Sequence, residues 1–409
     1  MKAMGAIPAG FDASADGTLM IGGRDARALV AKAGSTPLFV YDNNLIGAKI
    51  ALFRAALPDG LGLHYAVKAN PYPPLLEWIC RFVDGFDIAS IGELEALESV
   101  EACVLPLNFA GPGKTDRELK RAIQSDATIS VESPSEAARI LDIGGKLGTR
   151  PKVMVRVNPP FQLKGAGMKM GGAASPFGID HDQAAEVVRG LIEAGADWRG
   201  LHFYPGSQCL DWAAIVEAQG ASVALAGQIA DAAGAEPREV NLGGGFGIPY
   251  FAGEAPLDLY SMGQAMGDML AEVPGPLCAS RFTLELGRWL VGEAGVYLTR
   301  VTDRKDSRGQ PFLVTDGGLQ HMLAASGNFG QLLRRNYPVA VATRYGAPAE
   351  EAVTVVGNLC TPLDLLADQV ELPHADVGDL IAIFCAGAYG LTASPQAFLS
   401  QTAAGEMMV

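Results

Sequence analysis

The sequence contains no CxxC pair and no HExxH run. Its six cysteines (Cys80, Cys103, Cys209, Cys278, Cys360 and Cys385) and five histidines are scattered. The common zinc and dithiol chemistries are thereby excluded, and no metal site is expected. A disulfide scaffold is not expected either, because 409 residues with 49% apolar side chains are enough to bury a sizeable core. No run of five or six like charges occurs. With 31 basic against 45 acidic residues the net charge is −14, which argues against a nucleic-acid partner. No window of about 18 uncharged apolar residues is present, so no membrane span is expected. The start, MKAMGAIPAGFDAS, lacks the apolar stretch of a secretory signal, which makes the cytoplasm the expected location.

What is present is a rhythm. Strand-like runs such as TPLFVYD (36–42), LGLHYAVKA (61–69), FDIAS (86–90), KVMVRVNP and FTLELGR alternate with helical stretches near 73–83, 91–100, 183–194, 212–233 and 258–273. Alternation of this kind implies parallel βαβ units. About eight strands fall between residues 36 and 288, the size of a (β/α)8 barrel. After Arg288 the texture changes to strand-like runs with little helix between them, which reads as a mostly antiparallel β domain. The expected organisation is an N-terminal segment, 1–35, joining the β domain; a barrel over 36–288; and the C-terminal β domain over 289–409.

In such a barrel chemistry gathers at the C-terminal ends of the strands. Lys68, Asp87, the Gly-Ser after Tyr204, the glycines after Leu242, and Glu285 with Arg288 all follow strands. Lys68 ends an apolar strand. There it is either a rim lysine in an ion pair or a buried amine of lowered pKa, suited to a Schiff base. Gly206-Ser207 and the run 243–247 (GGGFG) are either ordinary tight turns or phosphate cradles, since glycine lets backbone N–H groups approach an anion. GPGKT (111–115) lacks the first glycine of a phosphate loop, whose place is taken by Asn108. Glu285 is suited to keeping a pyridine nitrogen protonated and Arg288 to reaching a phosphate; a local ion pair is the plainer reading. Asp87 either supports a charged group or caps the following helix.

The segments HYAVKANP, FDIASIGELE, NFAGPGKT, HFYPGSQ, NLGGGFG, ELGRWLVGEAG, TDGG, GNLCTPLD and GDLIAIFCAGAYG run in order from residue 40 to 390. In this combination the chain resembles the alanine-racemase-fold (fold type III) pyridoxal-dependent decarboxylases, the diaminopimelate and ornithine decarboxylase family. HFYPGSQ, GMKMGG, DGGLQHMLAASGNFGQ and GNLCTPLDLLA resemble a subgroup associated with bacterial exosortase gene clusters, and a decarboxylase of carrier-bound aminoacyl groups looks like a relative.

The resemblance implies pyridoxal 5′-phosphate (PLP) as cofactor and decarboxylation of an amino acid, free or carrier-bound, through aldimine and quinonoid intermediates. It implies a head-to-tail homodimer with shared active sites. Lys68 would carry the cofactor and Glu285 would pair with the pyridine nitrogen. Ser207, Gly244, Gly245, Arg288 and Tyr389 would surround the phosphate, with Asp87 and Arg156 around the ring and lysine. Cys360, from the partner subunit, would return a proton.

Two departures stand out. Tyr204 occupies the place of the family's ring-stacking histidine, with His202 two residues earlier. Thr361 replaces the acid that meets a distal amino group, which puts diaminopimelate, lysine and ornithine in doubt as substrates. Arg334, Arg335 and His321 are candidates for meeting an acidic group instead. An amino-acid racemase of the same fold and a non-catalytic PLP-binding protein are the alternative readings.

Overall fold

The computed structural model describes residues 1–100, 103–329, 331 and 333–409; Gly330 of the DGGLQHMLAASGNFGQ motif lies outside them. The chain forms two units. One comprises Ile50–Gly247 and Pro256–Gly287, the other Met1–Lys49, Ile248–Ala255 and Arg288–Val409.

The first unit is a closed barrel of eight parallel strands. They are β1 (Gly62–Ala66), β2 (Gly85–Ile88), β3 (Leu107–Phe109), β4 (Thr128–Val131), β5 (Lys152–Asn158), β6 (Asp197–Phe203), β7 (Glu239–Asn241) and β8 (Arg281–Leu286). Each pairs with its neighbour in order, and β8 closes on β1. The strands are short apolar runs buried almost throughout because both faces of a parallel barrel are covered. The helices between them start where the sequence supplies caps. Ser90, Thr115 and Ser133 each accept a backbone N–H of the first turn, and Thr115 with Glu118 forms a reciprocal capping box. Helix Trp212–Ala233 is long and apolar enough by composition to cross a membrane, but 61% of its apolar window is buried inside the fold, as befits a barrel helix.

One irregularity matters for the site. The pairing of β6 with β5 slips by a residue between Trp198 and Gly200, leaving Arg199 as a bulge. At Gly200 any Cβ would run into the Glu239 carbonyl oxygen, so only glycine lets β6 lie this close to β7.

The second unit is built on a mixed eight-stranded sheet. Five of its strand pairings are antiparallel and two are parallel. Strand Leu38–Tyr41, expected at the start of the barrel, pairs here with Gly295–Ser307 and Gly405–Met408 instead. A run of four buried apolar residues fits either environment, and only pairing decides between them. The N-terminal segment forms a small antiparallel sheet of its own, Asp12–Ala13, Leu19–Ile21 and Arg24–Asp25. Leu19, Ile21, Leu29 and Val30 join the core around Leu38, Val40, Val296 and Phe384.

Cys80 and Cys103 form a disulfide across 23 residues, a single cross-link that the length argument against a disulfide scaffold did not anticipate. A pair so far apart in sequence carries no local signature; proximity comes from the fold bringing Cys80, at the end of helix Pro73–Ile79, against Cys103.

Candidate active site

Lys68 stands on a single 3-10 turn, Val67–Ala69, at the C-terminal end of β1. The Tyr65 hydroxyl donates to the Asn70 carbonyl at 3.0 Å and closes the turn. Gly287 leaves room for it, since a Cβ there would meet Ala69. The Lys68 side chain is exposed, which rules against the buried-amine alternative, and borders a cavity of about 290 Å3 also lined by Asp87, Arg156, Phe177, His202 and Glu285. Its amine lies 4.9 Å from the centre of the Tyr204 ring.

Glu285 is 5% exposed. Burial works to raise its pKa, but His202 at 3.2 Å, with Lys68 and Arg156, holds it down to about 2. It is therefore a buried, ionised carboxylate. Arg156 donates to Glu132 Oε1 at 2.6 Å and lies over the Phe177 ring. Burial pushes the Glu132 carboxyl up, but Arg156, Lys114 and the Gly111 N–H together leave it below its ordinary value. Glu132 also accepts from Gly178 N–H, so one carboxylate ties the Gly111 and Gly178 loops to Arg156.

Asp87 does not cap a helix, a role Ser90 fills; it accepts from Asn108 Nδ2 at 2.7 Å and faces His64 at 3.4 Å. Burial lowers the His64 pKa, but Asp87 outweighs it and the net shift is upward. Gly85 accommodates the His64 ring.

The two candidate phosphate loops lie side by side. Cys209 N–H donates to the Gly245 carbonyl at 2.9 Å, and Gly247 N–H to the Cys209 carbonyl at 2.8 Å. Ser207 is buried, in a two-residue ladder with Met168–Lys169. A Cβ at Gly244 would collide with the Glu285 carbonyl oxygen. The helix after the glycine run, read near 258–273, begins at Leu259, so the run does not open directly into a helix N-terminus. After Ser207 the helix starts at Trp212.

Arg288, Tyr389 and Cys360 belong to the other unit. Arg288 does not pair with Glu285. It donates to the Tyr250 hydroxyl at 2.8 Å and stacks 4.6 Å from the centre of the Tyr389 ring, while its buried Nε has no hydrogen-bond partner. Burial lowers the pKa of Arg288, but the surrounding tyrosines raise it further, and burial pushes Tyr250 up to about 12. Cys360 is exposed on the loop after strand Glu351–Val356.

The three residues proposed for an acidic substrate group are engaged elsewhere. Arg334 donates to the carbonyls of Ser326, Ala325 and Leu365. Arg335 pairs with Glu254 and stacks on Phe251. His321 contacts the Tyr297 hydroxyl and the Thr402 carbonyl.

The structure therefore gathers Lys68, Asp87, Arg156 and Glu285 at one cavity, with Tyr204 beside the lysine. Sequence reasoning gave no role to His202, Phe177 or Glu132. The donor set suits a phosphorylated pyridine aldehyde: an amine for the aldehyde, an ionised carboxylate for the ring nitrogen and an aromatic face. In the other unit, the unpartnered Arg288 Nε suits an anion.

Comparison with known proteins agrees. Residues 43–292 match the family described as "Pyridoxal-dependent decarboxylase, pyridoxal binding domain". An L-glutamyl-[BtrI acyl-carrier protein] decarboxylase of Niallia circulans is 34% identical over 90% of this chain and 88% of its own. A diaminopimelate decarboxylase of Aquifex aeolicus is 32% identical over 93% and 88%. The structure of diaminopimelate decarboxylase from M. jannaschii in complex with L-lysine superposes with a TM-score of 0.87 at 25% identity, covering 98% of this chain and 93% of that one.

Proposed function

Because the chain belongs to the pyridoxal-dependent decarboxylases and uses pyridoxal 5′-phosphate, we propose that Lys68 holds the cofactor and that the substrate is an amino acid whose distal end is masked by attachment to a carrier. The cofactor, when bound, supplies the electron sink that lets CO2 leave the α-carbon. The observation that carries this reading is the shared cavity of Lys68 and ionised, buried Glu285. Glu285 holds a proton on the pyridine nitrogen by its fixed negative charge. Tyr204 supplies a ring face beside the Lys68 amine. Asp87 and Arg156 shape the cavity wall, and Ser207, Gly244 and Gly245 offer small, closely packed backbone to the phosphate; in the other unit Arg288, stacked on Tyr389, offers its unpartnered Nε to an anion. Cys360 Sγ donates a proton to the α-carbon; being exposed, it is available to the site of a second copy in a head-to-tail dimer. The proposed place of action is the cytoplasm.

The masked distal end is supported by the residues that were candidates to meet a charged one. Thr361 is neutral, and Arg334, Arg335 and His321 are tied to the protein, so neither a distal ammonium nor a distal carboxylate has an evident partner among these residues. The relative from Niallia circulans, named for a carrier-bound glutamyl substrate, supports the same reading.

The test is borohydride reduction of the cofactor-loaded protein followed by peptide mass spectrometry, with CO2 release measured on free and carrier-bound amino acids. The expected result is a label on Lys68 and CO2 from carrier-bound substrate. A label on another lysine would overturn the assignment. Racemisation without CO2 would return the alternative chemistry, and turnover of free diaminopimelate would overturn the substrate class.

A further inference from the structure

A line of buried polar side chains crosses the barrel interior. His64 Nδ1 faces Asp87 Oδ2 at 3.4 Å, and Asn108 Nδ2 lies 2.7 Å from Asp87 Oδ1. The Ser130 hydroxyl is 3.1 Å from Asn108 Oδ1 and 2.9 Å from His202 Nδ1. His202 Nε2 faces Glu285 Oε2 at 3.2 Å. Six strands contribute one residue each, all buried.

The directions of the hydrogen bonds from Asp87 through Asn108 and Ser130 to His202 are forced, whereas His202 Nε2 approaches Glu285 as an ion pair without an aligned hydrogen bond. A carboxylate only accepts, so Asn108 must turn its NH2 to Asp87 and its carbonyl to Ser130. That carbonyl only accepts, so the single hydroxyl hydrogen of Ser130 goes to it. Were it turned to His202 instead, two lone pairs would face each other between buried groups, at a high cost. Ser130 can then only accept from His202, and Nδ1 must carry a hydrogen. A neutral ring protonated on Nδ1 would aim the Nε2 lone pair at the Glu285 carboxylate, so a proton must also lie between those two groups.

We propose that Asp87, Asn108 and Ser130 act as positioning residues that lock His202 in the Nδ1–H form and thereby hold a proton between His202 and Glu285. The charged groups around Glu285 are His202, Lys68 and Arg156; those acting on His64 at the far end are Asp87, Glu239 and Arg281. The inference rests on the reading of Glu285 as partner of the pyridine nitrogen only for its functional meaning. The proton it stores adds positive charge beside Glu285 and weakens that carboxylate's hold on the ring nitrogen.

The experiment is nitrogen NMR of the full chain, without cofactor, carrying labelled histidine, with the His202 signals assigned by their loss in His202→Gln. At mildly alkaline pH Nδ1 should be protonated in the wild type. In Ser130→Ala the ring should switch to the neutral Nε2–H form, and Ser130→Thr should restore the original. An unprotonated Nδ1 in the wild type overturns the proposal without any variant, as does a Ser130→Ala protein whose Nδ1 keeps its hydrogen. With cofactor bound, the alkaline absorbance transition should move up by about one pH unit in Ser130→Ala. If the tautomer switches and the absorbance does not move, the proton lock stands and the pairing of Glu285 with the ring nitrogen fails.

Discussion

Glu285 owes its charge to its neighbours. Burial opposes ionisation, and His202, Lys68 and Arg156 reverse the balance. Its folded pKa of about 2 lies below the ordinary 4.5, so the stability it contributes is full above pH 4.5 and drains as pH falls toward 2. Glu285→Gln should therefore flatten acid unfolding over that window, measured by circular dichroism, while lowering kcat roughly a hundredfold or more through loss of the fixed charge. A variant that unfolds with the wild-type acid profile would show the carboxylate to be unperturbed. Lys68, Asp87 and Glu285 were legible in the sequence because each is a charged residue at the end of an apolar strand. His202 was visible as a residue but not as a partner, because its contacts come from Ser130 and Glu285, on strands β4 and β8. Arg334 looked available and is not: its donors go to the Ala325 and Ser326 carbonyls and to that of Leu365, 31 residues away.

Elements were legible where local chemistry defines them. The helix Asp116–Gln124 begins where Thr115 and Glu118 satisfy each other's backbone N–H groups. Thr115→Ala should cost about 1 kcal/mol of stability in urea unfolding, and a loss near zero would mean that the helix start is held by packing alone. The strand Leu38–Tyr41 shows the limit of such reading, since its residues specify a buried strand and not which sheet receives it. The two-residue ladder at Gly206–Ser207 was invisible as a strand because it is too short to have a period. The bulge at Arg199 is equally silent in composition, yet a shift of one residue exchanges the faces of a strand. Past the bulge β6 sends His202 to the lumen.

At the scale of the molecule, the alternation of strands and helices was enough to read the barrel, because parallel strands need crossover helices and leave a repeating trace. With 45 acidic and 31 basic residues, the chain should be least soluble near pH 4.8, where its net charge vanishes. Turbidity measured against pH checks this, and a minimum at neutral pH would contradict it. The division into units was less legible, because Ile248–Ala255 leaves the barrel's stretch of sequence to join the other unit and the chain then returns. The polypeptide thus passes from one unit to the other four times. Neither unit exists as one uninterrupted stretch of chain, so no single truncation can deliver either of them whole. A ribosome must add more than 360 residues after Leu38–Tyr41 before that strand can find its partner at Gly405–Met408, and the first strand of that sheet waits for the last.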